Sequence, residues 1–283
     1  MPEIQLSQGK IHYHDEGTGE PLMLIHGLLV DSGVWRRLVP HLAPRHRCIV
    51  PDLPLGSHRY AMAPEADLSP PGLAALIAEL IERLGLGQVV LVGNDTGGAL
   101  CQLVAADHPE RIGRLVLTNC DAFEHFPPPS LKPLVSGLAR VPGAVASLGT
   151  LGRLAFMRRA SMSLAALTVD PVPDDLVAAW VSPLRNRAVR RDLRKVLRGI
   201  DPQHTMAAAE RLREFEQPVL VAWGNRDRYF AVSDAERLAG AFPDARLELI
   251  DGARTFVQLD APDRLAALIE PVLAGAADGK EVA

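Results

Sequence analysis

The chain has 283 residues, 48 % hydrophobic and 23 % charged, with a formal net charge of −4 at pH 7. That length allows one large domain or two modest ones, with a core that needs no metal or disulfide, and the composition excludes a disordered, collagen-like or coiled-coil chain. The mild acidity gives no global attraction to nucleic acid, and no run of about 18 apolar residues marks a membrane span.

Three cysteines, Cys48, Cys101 and Cys120, lie in or beside apolar runs without metal spacing and read as buried thiols of a reducing compartment. Met1-Pro2-Glu3-Ile4 carries an acid where a secretory leader needs a basic start. The cytoplasm is therefore the expected location.

Residues 9–15 alternate in polarity and read as one strand of a hairpin. Pro21-Leu22-Met23-Leu24-Ile25-His26-Gly27 is nearly all apolar, the pattern of a strand covered on both faces. Cys48-Ile49-Val50 is a further short strand ending at Pro51-Asp52. Leu73 to Leu84 has helical periodicity and stops at Gly85. Buried strands follow at 88–93 and 114–119, with a helix at 97–107 between them. The pattern resumes with strands at 218–224 and 246–250 and helices at about 233–241 and 262–274. Strand–helix alternation of this kind predicts an α/β fold, with a mostly parallel sheet and helices on both faces.

The alternation breaks once. The interval 125–207 offers no convincing strand, and 174–181 and 188–197 look helical. It reads as an inserted helical cap, with the core formed by 1–124 and 208–274 and a flexible tail at 275–283. The interval is also basic: residues 131–200 hold twelve Lys and Arg against four Asp. Either a helix face packs on an acidic body, or the positive field favours anionic substrates.

The chemistry centres on Gly93-Asn94-Asp95-Thr96-Gly97, which joins a buried strand to a helix. A polar residue between small ones at that junction fits a strained turn that exposes the middle side chain at the carboxyl end of the sheet. The Thr96 N–H at the helix start is then placed to stabilise an oxyanion.

At these residues the chain resembles the α/β-hydrolase fold family, and within it the aspartate-nucleophile branch of haloalkane dehalogenases and epoxide hydrolases. His26-Gly27-Leu28 resembles the family's His-Gly-x turn, and the resemblance implies that Leu28 N–H is the second oxyanion donor. Trp223-Gly224-Asn225-Arg226-Asp227 resembles the segment that supplies the catalytic acid, which implies that role for Asp227. The fold implied is the α/β-hydrolase fold. The substrate implied is a small, largely apolar molecule, and no cofactor, metal, nucleic-acid or membrane partner is expected. A monomer or homodimer is expected.

The resemblance breaks in three places. The loop where the family keeps its histidine base reads Gly252-Ala253-Arg254-Thr255-Phe256, with Thr255 at the histidine position. Thr has no basic group near neutral pH. Thr96 stands where haloalkane dehalogenases carry Trp, and no tyrosine falls in the cap, since Tyr13, Tyr60 and Tyr229 all lie outside it. His125, following Asp121, is the first candidate for a displaced base, with His58 and His204 behind it. His26, Trp180 and Thr255 are the candidate substrate contacts. A hydrolase with Asp95 as nucleophile is one reading. The alternatives are a lyase, isomerase or cyclase with Asp95 as general base, and an inactive ligand-binding relative.

Overall fold

The structure is a computed structural model that describes residues 2–151 and 167–274. The tail at 275–283 and the stretch 152–166 of the expected cap, with Arg153, Arg158 and Arg159, lie outside the described residues.

The strands are β1 (Glu3–Leu6), β2 (Gly9–Glu16), β3 (Pro21–Ile25), β4 (Arg47–Pro51), β5 (Val89–Asp95), β6 (Ile112–Cys120), β7 (Val219–Gly224) and β8 (Ala245–Ile250). They form one eight-stranded sheet in the order β1-β2-β4-β3-β5-β6-β7-β8. The hairpin β1–β2 and the β2–β4 pair are antiparallel, and every other neighbour is parallel.

The helices are α1 (Val39–Leu42), α2 (Pro70–Arg83), α3 (Thr96–Asp107), α4 (Lys132–Arg140), α5 (Ala144–Leu151), α6 (Asp174–Val181), α7 (Arg187–Gly199), α8 (Pro202–Arg211), α9 (Val232–Ala239), α10 (Val257–Asp260) and α11 (Pro262–Ala274). Among the described residues no helix is long and apolar enough to cross a membrane.

The continuous apolar runs of the central strands have a direct cause. Met23, Ile25, Leu91, Leu115 and Val221 face the core under α2, α3, α8 and α9. Leu22, Leu24, Val90, Val92, Val116 and Leu220 face the opposite core with Trp35, Phe256 and α11. Both faces are covered, so neither side of the period-two pattern can be polar. Each such side chain contributes roughly 1.5–3 kcal/mol by burial.

Helix α2 begins at Pro70, three residues before the first periodic leucine. Ser69 caps it, its hydroxyl accepting from Gly72 N–H at 3.3 Å, and Pro70 and Pro71 fill positions that need no donor.

Among the described residues of 125–207 the regular elements are helices. α4, α5 and α7 share a small core of Val135, Leu138, Val145, Leu184, Val189, Leu193 and Leu197. Helix α8 runs across the 207/208 division, and its Ala208 joins the body's core. On α7, Lys195 and Arg190 direct their charge at backbone oxygens, while Arg191 also pairs with Asp192 Oδ1 at 2.7 Å. Lys195 Nζ donates to Pro64 O at 2.6 Å and Ala66 O at 2.7 Å. Arg190 donates to Leu184 O at 2.8 Å and Arg185 O at 2.9 Å, and Arg191 reaches Met62 O. Asp192, fully buried on α7, accepts from Met62 N–H at 2.8 Å and lies 3.3 Å from His58 Nε2. These contacts fasten α7 to the loop at 58–66 of the body.

Candidate active site

Strand β5 passes into α3 with no intervening loop, and the residue at the junction is Asp95. Its backbone is at φ 57°, ψ −134°. An L-residue held there stores roughly 1–3 kcal/mol of strain, so the surroundings must enforce it. Two glycines do so by letting chains approach. A Cβ on Gly97 would lie 2.4 Å from the carbonyl oxygens of Ile25 and His26. A Cβ on Gly27 would lie 2.5 Å from Asp95 Cβ and 2.6 Å from its Cγ. The turn after β3 therefore rests directly on the Asp95 side chain.

Asp95 Oδ1 accepts from the Thr96 N–H, and the Leu28 N–H lies against the same carboxyl. Part of the side chain stays open to solvent. Burial pushes the Asp95 pKa up to about 6, and the negative field of Asp227 adds to the shift. The Thr96 and Leu28 donors oppose it.

Asp227 follows β7. Its Oδ1 accepts from Tyr229 N–H at 2.7 Å and Phe230 N–H at 3.1 Å, a side-chain turn that fixes its rotamer. Its Oδ2 accepts from Asn119 Nδ2 at 2.8 Å. Burial raises its pKa against these donors. The Thr255 hydroxyl stands beside this carboxyl and helps to hold the pKa down. It makes no full hydrogen bond, although Thr255 is wholly buried.

Asp95, Asp227 and Thr255, with the N–H groups of Leu28 and Thr96, thus gather at the carboxyl end of the sheet. Among the described residues no group of three or more His, Cys, Asp and Glu side chains is arranged to hold a metal ion.

Other expected contacts are placed elsewhere. His26 Nε2 accepts from Leu53 N–H at 2.9 Å, so Nδ1 carries the proton that it donates to Gly27 O at 2.8 Å. Both ring nitrogens are occupied, and burial lowers the His26 pKa. His26 is a neutral backbone brace rather than a substrate contact.

Trp180 is also a strut. Its Nε1 donates to Asp31 Oδ1 at 2.8 Å, its carbonyl accepts from Ser57 Oγ at 2.8 Å, and its ring meets Phe256 edge-on at 6.0 Å. It holds α6 on the body and has no free donor for a substrate. His125 Nδ1 pairs with Asp234 Oδ2 at 2.9 Å, in a small turn closed by the Ala122–His125 bridge. That partner holds it against α9. His58 is held by Asp192 under α7. His204 lines a groove with Asp107 and Arg211 at the far end of α3, and that end lies about 18 Å along the helix axis from Asp95.

Three amides that motif reading missed carry much of the geometry. Asn94 Nδ2 reaches Thr118 Oγ1 at 3.0 Å and Thr255 O at 2.8 Å, while its Oδ1 accepts from Gln258 Nε2 at 2.9 Å. Asn119 also accepts from Gly224 N–H at 2.7 Å through Oδ1. The signal was present in the sequence: uncharged amides at 94 and 119, ending strands that are otherwise apolar, require buried partners.

An eight-stranded sheet crossed by this strand–elbow–helix junction defines an α/β hydrolase. The match to the alpha/beta hydrolase fold family over residues 20–262 agrees, and the chain belongs to that family. It is 30 % identical over 278 residues to haloalkane dehalogenase 2 of Mycobacterium bovis, covering 93 % of this chain and 91 % of that protein. It is 28 % identical over 267 residues to a cis-3-alkyl-4-alkyloxetan-2-one decarboxylase of Shewanella oneidensis, covering 90 % and 82 % respectively. The fold superposes on the unliganded epoxide hydrolase CorEH with a TM-score of 0.80 at 21 % identity, covering 97 % of this chain and 99 % of that one.

Proposed function

We propose that the protein is a hydrolase whose Asp95 attacks a saturated carbon of a small, largely apolar substrate and forms an alkyl ester. The observation that carries this reading is the occupancy of the donor pair. An enzyme that attacks carbonyl carbon leaves its oxyanion donors free for the substrate oxygen. Here Asp95 Oδ1 itself accepts from Thr96 N–H, beside Leu28 N–H. The second carboxyl oxygen is left to attack. The negative charge that builds on Oδ1 when water later adds to Asp95 Cγ falls between the same two donors. With a pKa of about 6, Asp95 is ionised at neutral pH. The haloalkane dehalogenase and oxetan-2-one decarboxylase relatives support a substrate of this kind.

The site supplies no imidazole. Thr255 stands beside Asp227 in the loop that resembles the family's base loop, so Asp227 orients no ring. A general base contributes about 10²–10⁴-fold to such a hydrolysis. The second step is accordingly the slow one for substrates that leave no base behind.

A second reading has one observation in its favour. A carboxylate with a pKa of about 6 is a competent proton acceptor, and one relative is a decarboxylase rather than a hydrolase. Intact-mass spectrometry after incubation with alkyl bromides and epoxides separates the two. Covalent capture adds the substrate mass and Asp95→Asn abolishes the addition. Turnover with no adduct, persisting under rapid quenching, would overturn the nucleophile reading in favour of the general base.

A further inference from the structure

The turn that carries the Leu28 N–H to Asp95 is held on both sides. The trans peptide joining Gly27 to Leu28 directs its carbonyl and its N–H to opposite sides. His26 Nδ1 donates to that carbonyl at 2.8 Å, which leaves the N–H facing the Asp95 carboxyl. One residue further on, Leu29 lies at φ 62°, in the left-handed region. Contact between Cβ and the following carbonyl disfavours that region by roughly 5–30-fold for an L-residue, and leucine does not enter it routinely.

Two contacts keep Leu29 there. Its N–H donates to Leu55 O at 2.9 Å, in the chain that follows β4. Its side chain meets the cap: Leu29 Cδ2 and Leu193 Cδ1 of α7 converge over Gly56, where a Cβ would lie 3.0 Å from each. Leu28 and Leu29 both pack against the cap's small core, and Leu28 packs against the body's core as well. Leu193 stands next to Asp192, which accepts from Met62 N–H at 2.8 Å, so it is delivered by a part of α7 already tied to the body.

We propose that Leu29 is a positioning residue through which the cap helix α7 holds the Leu28 N–H on Asp95. With α7 docked, Leu193 packs on Leu29, the left-handed turn persists and the donor faces the carboxyl. Without that packing Leu29 relaxes toward the ordinary regions of the backbone. Val30 is fully buried in the body's core, so a rotation about Leu29 φ moves the chain before it, and the Leu28 N–H turns away. The docking of the cap and the completeness of the donor pair are thus one event. The inference holds whether Asp95 attacks carbon or accepts a proton.

The test needs no substrate. The full chain is isotope-labelled at its Asp carboxyl carbons and titrated by NMR, the Asp95 signal being identified by its loss in Asp95→Asn. The Leu28 donor opposes the rise of the Asp95 pKa, so its withdrawal moves the titration midpoint upward. The titratable groups that face Asp95 are Asp227, Asp121 and the Cys120 thiol, and no variant used here replaces them. Leu29→Val puts a β-branched residue at positive φ and should raise the midpoint by about 1–2 pH units, the worth of one hydrogen bond to a charged group. Leu193→Ala removes the packing from the cap side alone and should raise it by at least about half a unit. Adding Leu29→Asn to Leu193→Ala should return the midpoint to the wild-type value, because Asn enters the left-handed region without help. An unchanged midpoint in Leu29→Val or in Leu193→Ala overturns the proposal. So does a raised midpoint that Asn does not restore, since a polar side chain repairs the turn and not the lost cap packing. Should Leu29→Val fail to fold, Leu193→Ala and the double variant decide by the same titration. A wild type that bromobutane does not label overturns the nucleophile reading and leaves the titration result standing.

Discussion

Replacing Asp95 by Asn removes the proposed nucleophile and is expected to stabilise the protein. The Asp95 pKa rises from 3.8 to about 6 on folding, chiefly through burial. The folded state therefore binds this proton more tightly than the unfolded chain. Above pH 6 the ionised group opposes folding by about 3 kcal/mol, at 1.36 kcal/mol per unit. The side chain is partly open to solvent, so the working figure is nearer 2 kcal/mol.

Asn carries no such penalty, tolerates the same positive φ, and its side-chain oxygen still accepts from Thr96 N–H. For a chain of this size the gain corresponds to a rise of about 3 °C in Tm. The penalty is complete above the folded pKa, and roughly half of it remains at about pH 5. It disappears below the unfolded value. Thermal and urea unfolding of both proteins at about pH 7.5 and about pH 5 measures the gap. An Asn variant less stable than wild type at the higher pH, or a gap that does not shrink at the lower, refutes the claim that burial strains this carboxylate.

Three further outcomes follow from the geometry. Thr255→His places an imidazole beside Asp227 and should shorten the life of an Asp95 ester by up to about 10²–10⁴-fold in pulse-chase mass spectrometry. Gly27→Ala drives a methyl group into Asp95 Cβ and Cγ; labelling should be lost, with about 1–3 kcal/mol of destabilisation by urea titration. Asn119→Ala strands the buried Gly224 N–H and frees Asp227, and should lower stability by about 2–4 kcal/mol, measured the same way.

Much of the body was readable because its rules are local. The run 89–93 carries no polar side chain because both faces of β5 are covered, and the periodicity from Leu73 found the body of α2 while missing its start at Ser69-Pro70-Pro71. The elbow was readable for the same reason, since Gly93, Asp95 and Gly97 answer to a single turn. What the sequence concealed depends on distant pairing. Trp180 looked like a pocket wall, yet its N–H is taken by Asp31, 149 positions away in the chain. His125 follows the end of β6 closely enough to suggest a displaced base, but Asp234 on α9 claims it. The roles of Asn94 and Asn119 required knowing that β5, β6, β7 and the loop at 253–258 end side by side. Helix α7 misled in another way: its Arg190 and Lys195 answer to carbonyl oxygens, which leave no mark in a composition.

Asn94 grips the loop by the carbonyl of Thr255, not by its side chain. The path of the backbone through residue 255 is thereby fixed independently of which amino acid stands there. For protein engineering this makes position 255 an interchangeable socket. Side chains of quite different reactivity can be exchanged beside Asp227 on an unchanged backbone, and a series of such variants would report the side chain's chemistry with little confounding by loop movement. Slow amide hydrogen exchange across 253–258, equal in all members of the series, is the property that would make such a comparison clean.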